Sequence, residues 1–233
     1  MIGVNELANM IDHTLLKADA TKVEFERLCK EADEYGFKMV AINSYPVAMC
    51  RKFLKDSKVH VGVAIGFPLG QTTIKTKISE IEEAIQNGAD EIDYVINIGK
   101  LKEGDIEYLR EEMEAIVTLS RENDIISKVI LENCYLTDEE KIAVCKIAKE
   151  VKPDFVKTST GFGTGGATVE DVALMKKIVG DAVKVKAAGG IRDVETALQM
   201  IKAGAERLGT SSGIKIIEEY KNFKESSSDV ASI

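Results

Sequence analysis

Glu91-Ile92-Asp93-Tyr94-Val95-Ile96-Asn97 alternates between two kinds of residue. Drawn as an extended strand, it puts Glu91, Asp93, Val95 and Asn97 on one face and Ile92, Tyr94 and Ile96 on the other. The same division recurs further along. Lys128, Ile130 and Glu132 oppose Val129, Leu131 and Asn133; Phe155, Lys157 and Ser159 oppose Val156 and Thr158; Lys184, Lys186 and Ala188 oppose Val183, Val185 and Ala187. Each strand has one mostly apolar face and, opposite it, a face that carries charge. An open sheet between two helix layers wants apolar residues on both faces. A closed barrel buries one face under helices and turns the other into an interior whose upper layer can be polar. The pattern therefore predicts a barrel.

Outward from that segment, short β-rich runs alternate with helical patterns along the whole chain. Strands are expected at Ile11–Leu15, Met39–Asn43, His60–Ile65, Glu91–Ile96, Lys128–Glu132, Asp154–Thr158, Val183–Ala187 and Arg207–Thr210. A short extra helix, Val4–Met10, precedes the first. Thr21-x-x-Glu24 and Thr137-x-x-Glu140 read as capping boxes, Thr168-x-x-Asp171 as a weaker one. Gly36, Gly88, Gly180 and Gly204 stand where helices should end. Strict β/α alternation makes the sheet parallel, and eight strands complete a TIM (β/α)8 barrel. No linker divides the chain. The reading is one α/β domain over residues 1–223 with a flexible tail at 224–233.

Composition narrows the functions. The chain has 233 residues, 45% of them hydrophobic and 30% charged, with a net charge of −8. That length and apolar content support a sizeable core. An acidic chain without a basic patch gives no reason to expect a nucleic-acid partner. No apolar run approaches the ~20 residues needed to cross a bilayer. The first ten residues lack a basic segment followed by an apolar one, so no secretory signal is expected. Four cysteines without a CxxC pair, and only two histidines, His13 and His60, give a metal site little support. Reduced thiols in the cytoplasm are the expectation.

Barrel enzymes carry reactive groups at the C-terminal ends of their strands. Asp12, Asp93, Glu132, Lys157 and Lys186 occupy such positions. The bland reading is a structural ion network, and charge alone does not separate it from a catalytic one. The lysines sharpen the question. A second ammonium roughly 5 Å away, at an effective dielectric of about 20, costs about 3 kcal/mol, or about two pKa units. Desolvation acts in the same direction. One lysine can then be neutral near pH 7 and attack a carbonyl. Lys184 shares the parity of Lys186 but lies lower in the strand.

Glycine-rich segments follow the last three strands: Gly161-Phe162-Gly163-Thr164-Gly165-Gly166, Ala188-Gly189-Gly190-Ile191-Arg192 and Gly209-Thr210-Ser211-Ser212-Gly213. Bare backbone N–H groups and a helix N-terminus at a barrel mouth suit a phosphate; simple tight turns are the alternative. The first segment is neither a P-loop nor a Rossmann fingerprint. His13 falls opposite Asp12 and reads as a core or supporting residue, and His60 as structural. Gly66-Phe67-Pro68-Leu69-Gly70-Gln71 is expected to line the pocket. Asn43 is a candidate hydrogen-bonder, and Tyr45 and Phe162 are candidate walls.

Taken in order, these motifs resemble the deoxyribose-phosphate aldolase family of class I aldolases. The similar segments are Ile11-Asp12-His13-Thr14-Leu15-Leu16, Gly66-Phe67-Pro68-Leu69-Gly70 and Gly88-Ala89-Asp90-Glu91-Ile92-Asp93. They continue with Asp154-Phe155-Val156-Lys157-Thr158-Ser159-Thr160-Gly161, Val185-Lys186-Ala187-Ala188-Gly189-Gly190-Ile191-Arg192 and Gly209-Thr210-Ser211-Ser212. The resemblance implies a TIM barrel and reversible cleavage of 2-deoxy-D-ribose 5-phosphate to acetaldehyde and D-glyceraldehyde 3-phosphate. It implies that Lys157 forms the imine, that Lys186 and Asp93 donate or accept protons, and that Asp12 supports them. Thr160, Gly161, Gly189, Gly190, Gly209, Ser211 and Ser212 would hold the phosphorylated substrate. No cofactor or metal is expected, because an iminium does the work of a Lewis acid. A homodimer or higher homo-oligomer is expected from the family. Ala18 and Asn133 depart from its usual Pro and Thr, away from the implied chemistry. The sequence ends Ala231-Ser232-Ile233, without the terminal tyrosine of some members, and Tyr220 falls in the last helix instead. The rival readings are a sugar-phosphate isomerase or epimerase and a non-catalytic sugar-phosphate sensor.

Overall fold

The computed structural model describes residues 2–230, with side chains as far as Lys224. Eight parallel strands close on themselves in chain order. They are β1 (Ile11–Thr14), β2 (Met39–Ile42), β3 (His60–Ile65), β4 (Glu91–Val95), β5 (Ile126–Ile130), β6 (Phe155–Lys157), β7 (Lys184–Ala188) and β8 (Arg207–Thr210). The helices are α1 (Val4–Ala8), α2 (Lys22–Tyr35), α3 (Val47–Phe53), α4 (Ile74–Gln86), α5 (Ile98–Lys102), α6 (Ile106–Glu122), α7 (Asp138–Val151), α8 (Val169–Val179), α9 (Val194–Lys202) and α10 (Gly213–Val230). The extra N-terminal helix is α1. Among the described residues no helix is long and apolar enough to cross a membrane.

The face division seen in the sequence is the division between core and barrel interior. Ile92, Tyr94, Val129, Val156, Val185, Ala187 and Leu208 are all fully buried and belong to the apolar core between sheet and helices. Asp93, Lys128, Lys157 and Lys186 alternate with them and meet inside the barrel. Register sets them in two successive pairs: Asp93 pairs with Lys128, and Lys157 with Lys186 one pleat further along, since Lys128 itself pairs with Phe155. Lys184, two residues earlier on β7, is exposed, with its ammonium 5.7 Å from the Phe155 ring centroid.

Helix ends follow the expected chemistry. The Thr21/Glu24 and Thr137/Glu140 capping boxes both form, and the Thr168 hydroxyl accepts from the Asp171 amide. Gly36 caps α2 in the left-handed conformation.

Two expectations change. The fifth strand runs two residues earlier than its apolar run suggests, ending at Ile130. Glu132 leaves the ladder in a left-handed turn at φ 56°, where its carboxylate accepts hydrogen bonds from the Thr160 amide and hydroxyl. At the C-terminus α10 continues to Val230, over most of the stretch expected as a tail, and residues 231–233 lie outside those described.

Candidate active site

Lys157 is the last residue of β6, and Lys186 the third of β7. Both line a cavity of about 530 Å³ at the strands' C-terminal ends. Asp93 lies beneath them. Its Oδ2 accepts from Lys157 Nζ and Lys186 Nζ, both at 2.7 Å. Its Oδ1 accepts from Lys128 Nζ, also at 2.7 Å. Asp12 on β1 forms an ion pair with Lys186 and accepts from Arg207 Nη1 at 2.7 Å. The expected quartet of Lys157, Lys186, Asp93 and Asp12 is therefore a single contact network.

The network is buried, and its protonation is set by burial and neighbouring charge together. Lys157 is pushed down to about 8, first by desolvation, with the ammoniums of Lys186 and Lys128 acting in the same direction and Asp93 against them. The neighbouring cation is thus a contributor, and loss of water the larger cause. For Asp93, burial alone raises the carboxyl; Lys128, Lys157 and Lys186 outweigh it and hold it well below the ordinary range. Lys128 moves the other way. Desolvation opposes its charge, but Asp93 and Glu91 on either side keep it raised.

Three participants went unrecognised as site residues in the sequence: Glu91, Lys128 and Arg207. Lys128 Nζ lies 2.6 Å from Glu91 Oε2, and Arg207 Nη1 lies 3.2 Å from the same oxygen. Their signal was present, because Glu91 and Lys128 share the charged face with Asp93 and Glu132. Glu132 itself does not join the lysines; it anchors Thr160.

The mouth is built from the glycine loops. Thr160, Gly161, Gly189, Gly190, Gly209 and Ser211 line the cavity. Ser212 is not among the lining residues, and its amide donates to Thr210 Oγ1 at 2.9 Å. Both donors of Thr160 are engaged by Glu132, so Thr160 braces its loop. The first two loops are docked together. A Cβ on Gly166 would stand 2.3 Å from the Gly189 carbonyl oxygen, and the Ala167 amide donates to that oxygen. Gly209 leaves room for Lys186, whose Cε would stand 3.2 Å from an added Cβ. Helix α10 opens at Gly213, directly behind Ser211 and Ser212, and its N-terminal dipole favours an anion at this rim. Lys17, Arg27 and Arg192 add exposed cations to the lining.

The remaining candidates fall away from the chemistry. His13 is buried, tilted against Phe37, with Nε2 2.8 Å from Glu31. It is among the residues that line the cavity, and burial lowers its pKa against the pull of Glu31. His60 bridges Glu91 and Lys38 at the strands' starts. The Asn43 amide donates to the Leu16 carbonyl. The Gly66–Gln71 loop does not line the cavity. Its Gly66 amide is tied to Glu80, and a Cβ on Gly70 would stand 2.0 Å from the Ile96 carbonyl oxygen, so the loop is held toward α4 and β4. It meets the site only through Phe67, edge-on to Phe162 at 5.4 Å between centroids. Phe162 is a cavity wall; Tyr45 is 93% exposed and is not. The Tyr220 hydroxyl donates to the Ile2 carbonyl, beside α1. Among the described residues no cluster of His, Cys, Asp and Glu is arranged to hold a metal ion.

Comparison with known proteins gives a consistent result. A family model described as DeoC/LacD family aldolase matches residues 7–219. The deoxyribose-phosphate aldolase of Bacteroides thetaiotaomicron is 56% identical over 96% of this chain and 94% of its own length. That of Thermococcus gammatolerans is 54% identical over 95% of this chain and 99% of its own. The solved structure of the tetrameric deoxyribose phosphate aldolase from Aeropyrum pernix superposes with a TM-score of 0.88 at 31% identity, covering 95% of this chain and 93% of that one.

Proposed function

The chain belongs to the DeoC/LacD aldolase family, and from that membership we propose that it is a lyase that cleaves 2-deoxy-D-ribose 5-phosphate reversibly to D-glyceraldehyde 3-phosphate and acetaldehyde. One observation carries the reading beyond membership. A buried amine held down to about 8 ends at a cavity floor, with a carboxylate and a second ammonium in contact. An isomerase working through carboxylates alone, or a sensor, has no use for such an amine.

In the cleavage direction the Lys157 nitrogen attacks C1 of the open-chain sugar and forms a carbinolamine. Loss of water gives an iminium, which draws electrons from the C2–C3 bond. The C3 hydroxyl gives up its proton, the bond breaks, and glyceraldehyde 3-phosphate leaves. The remaining two-carbon enamine takes a proton at C2. Addition of water then releases acetaldehyde and restores the amine.

Each step needs a proton moved within reach of Lys157, and Asp93 and Lys186 lie there. Asp93 is held so firmly anionic that alone it is a poor store for a proton. With Lys186 donating to the same oxygen that faces Lys157, the two act as one relay, with water completing the path to the substrate. Asp12 fixes the Lys186 ammonium through their ion pair. Gly161, Gly189, Gly190, Gly209 and Ser211 hold the phosphate with the α10 N-terminus, Ser212 shapes that rim through its bond to Thr210, and Thr160 braces the first loop. The iminium supplies the electron sink, so the mechanism calls for no metal or cofactor.

The family and the tetrameric Aeropyrum pernix relative support a homo-oligomer. Free Cys29, Cys50, Cys134 and Cys145 suit the reducing cytoplasm. The test is incubation with acetaldehyde and borohydride, followed by peptide mass analysis. A two-carbon adduct on Lys157, with glyceraldehyde 3-phosphate released from the deoxysugar phosphate by the native chain and not by Lys157→Met, is expected. An adduct elsewhere, or full activity in Lys157→Met, removes the reading.

A further inference from the structure

Six charged side chains, of which only Lys186 reaches the cavity, close a ring at its floor. Asp93 touches Lys128, Lys128 touches Glu91, Glu91 touches Arg207, Arg207 touches Asp12, Asp12 touches Lys186, and Lys186 returns to Asp93. Acids and bases alternate, so the fully ionised ring is neutral. Lys157 joins it at one point, Asp93 Oδ2. A protonated Lys157 turns the buried cluster into a net cation, whereas an unprotonated one leaves it balanced. Net charge in a buried site is far costlier than a balanced set.

We propose that Glu91, Lys128 and Arg207, none of which lines the cavity, are positioning residues for the aldol reaction: by fixing the charge count of the ring they keep the Lys157 amine free of its proton. The inference rests on Lys157 as the imine-forming amine. The charged groups around that amine are Asp93 from β4, Lys186 from β7, Lys128 from β5 and Asp12 from β1, with Arg207 on β8 and Glu91 on β4 completing the ring behind them. His60, on β3, reaches only Glu91 and Lys38, so it adds to the ring from the far side.

The geometry makes the sign of each perturbation specific. Glu91→Gln removes a negative charge with little change of shape, leaving a surplus positive ring that sheds the Lys157 proton more readily. Lys128→Met or Arg207→Met removes a positive charge, leaving a deficit that a protonated Lys157 fills. At separations of roughly 7–10 Å and an effective dielectric of about 20, one unit charge moves the titration by about one to two pH units.

The experiment is borohydride trapping of acetaldehyde on Lys157 as a function of pH, with folding checked by circular dichroism. In the native chain the adduct is expected to rise with pH, half-maximal near 8. Glu91→Gln moves that midpoint down; Lys128→Met and Arg207→Met move it up. The balanced double variants Glu91→Gln/Lys128→Met and Glu91→Gln/Arg207→Met return it toward the native value, and they replace any single variant that does not fold. Midpoints that stay put, move in one common direction, or remain displaced in the balanced doubles overturn the proposal. An absent Lys157 adduct in the native chain sinks the functional reading instead; a present one with unmoved midpoints sinks only this inference.

Discussion

Lys186→Met separates the two causes that hold Lys157 below its ordinary range. Burial ranks first and survives the substitution; the neighbouring ammonium does not. The two nitrogens share Asp93 Oδ2 at 2.7 Å each. Taking them as roughly 5 Å apart in an effective dielectric of about 20, Lys186 disfavours a proton on Lys157 by about 3 kcal/mol, or about two pH units. Its removal therefore carries Lys157 from about 8 to roughly 10. At pH 7 the unprotonated fraction falls from about one in ten to about one in a thousand, so the rate of adduct formation drops on the order of 100-fold. Loss of the cation that offsets Asp12 and Asp93 pushes the same way. The assay is the initial rate of borohydride-trapped adduct from pH 6 to pH 11. The signature is a rate that still climbs in alkali with its midpoint displaced upward, because the Lys157 amine is intact, while loss of the Lys186 half of the relay lowers the plateau. A midpoint that stays near 8 in a folded variant refutes the electrostatic part of the argument and leaves burial as the whole cause.

Three further outcomes follow from contacts already described. Asp93→Asn leaves Lys128, Lys157 and Lys186 buried without their common carboxylate; it should cost about 3–5 kcal/mol in urea unfolding and abolish most turnover. Glu132→Leu removes the acceptor of both Thr160 donors, so KM for the phosphorylated sugar should rise by about tenfold or more while the Lys157 trapping midpoint stays in place. Glu91 and Asp93 both titrate below their unfolded values, against the opposing effect of burial. Their stabilisation is therefore complete above an unfolded carboxylate pKa of about 4 and is lost as pH falls from there toward their folded values. Urea midpoints should change little from these groups between pH 7 and pH 5 and fall steeply by pH 3.

The barrel was legible because its evidence is local. Alternation within single strands, such as Glu91–Val95, reports which face meets helices, and helix caps such as Thr21/Glu24 mark their own boundaries. Lys157, Lys186, Asp93 and Asp12 were legible because position and charge coincide at the strand ends. The limit was set by what only closure reveals. Arg207 reaches Asp12 and Glu91 because the last strand seals against the first, a contact 195 residues apart in the chain for the Asp12 pair. The left-handed turn at Glu132 was invisible because no residue type announces it; its cause is a hydrogen bond to a loop on the next strand. The Gly66–Gln71 loop was misplaced for the same reason. Its composition marks a tight turn but not which way that turn leans, which Glu80 and the Ile96 carbonyl decide.

Tyr220, reaching Ile2 with its hydroxyl, ties α10 to the segment ahead of α1. The helix that carries it starts at Gly213, against the rim proposed to grip the anion, and is moored near the opposite pole by the amino-terminal strand of backbone before Val4. That arrangement makes one rod answer to both poles. Loosening the hold of Tyr220 on the Ile2 carbonyl would therefore be sensed, along that rod, at the far opening of the barrel.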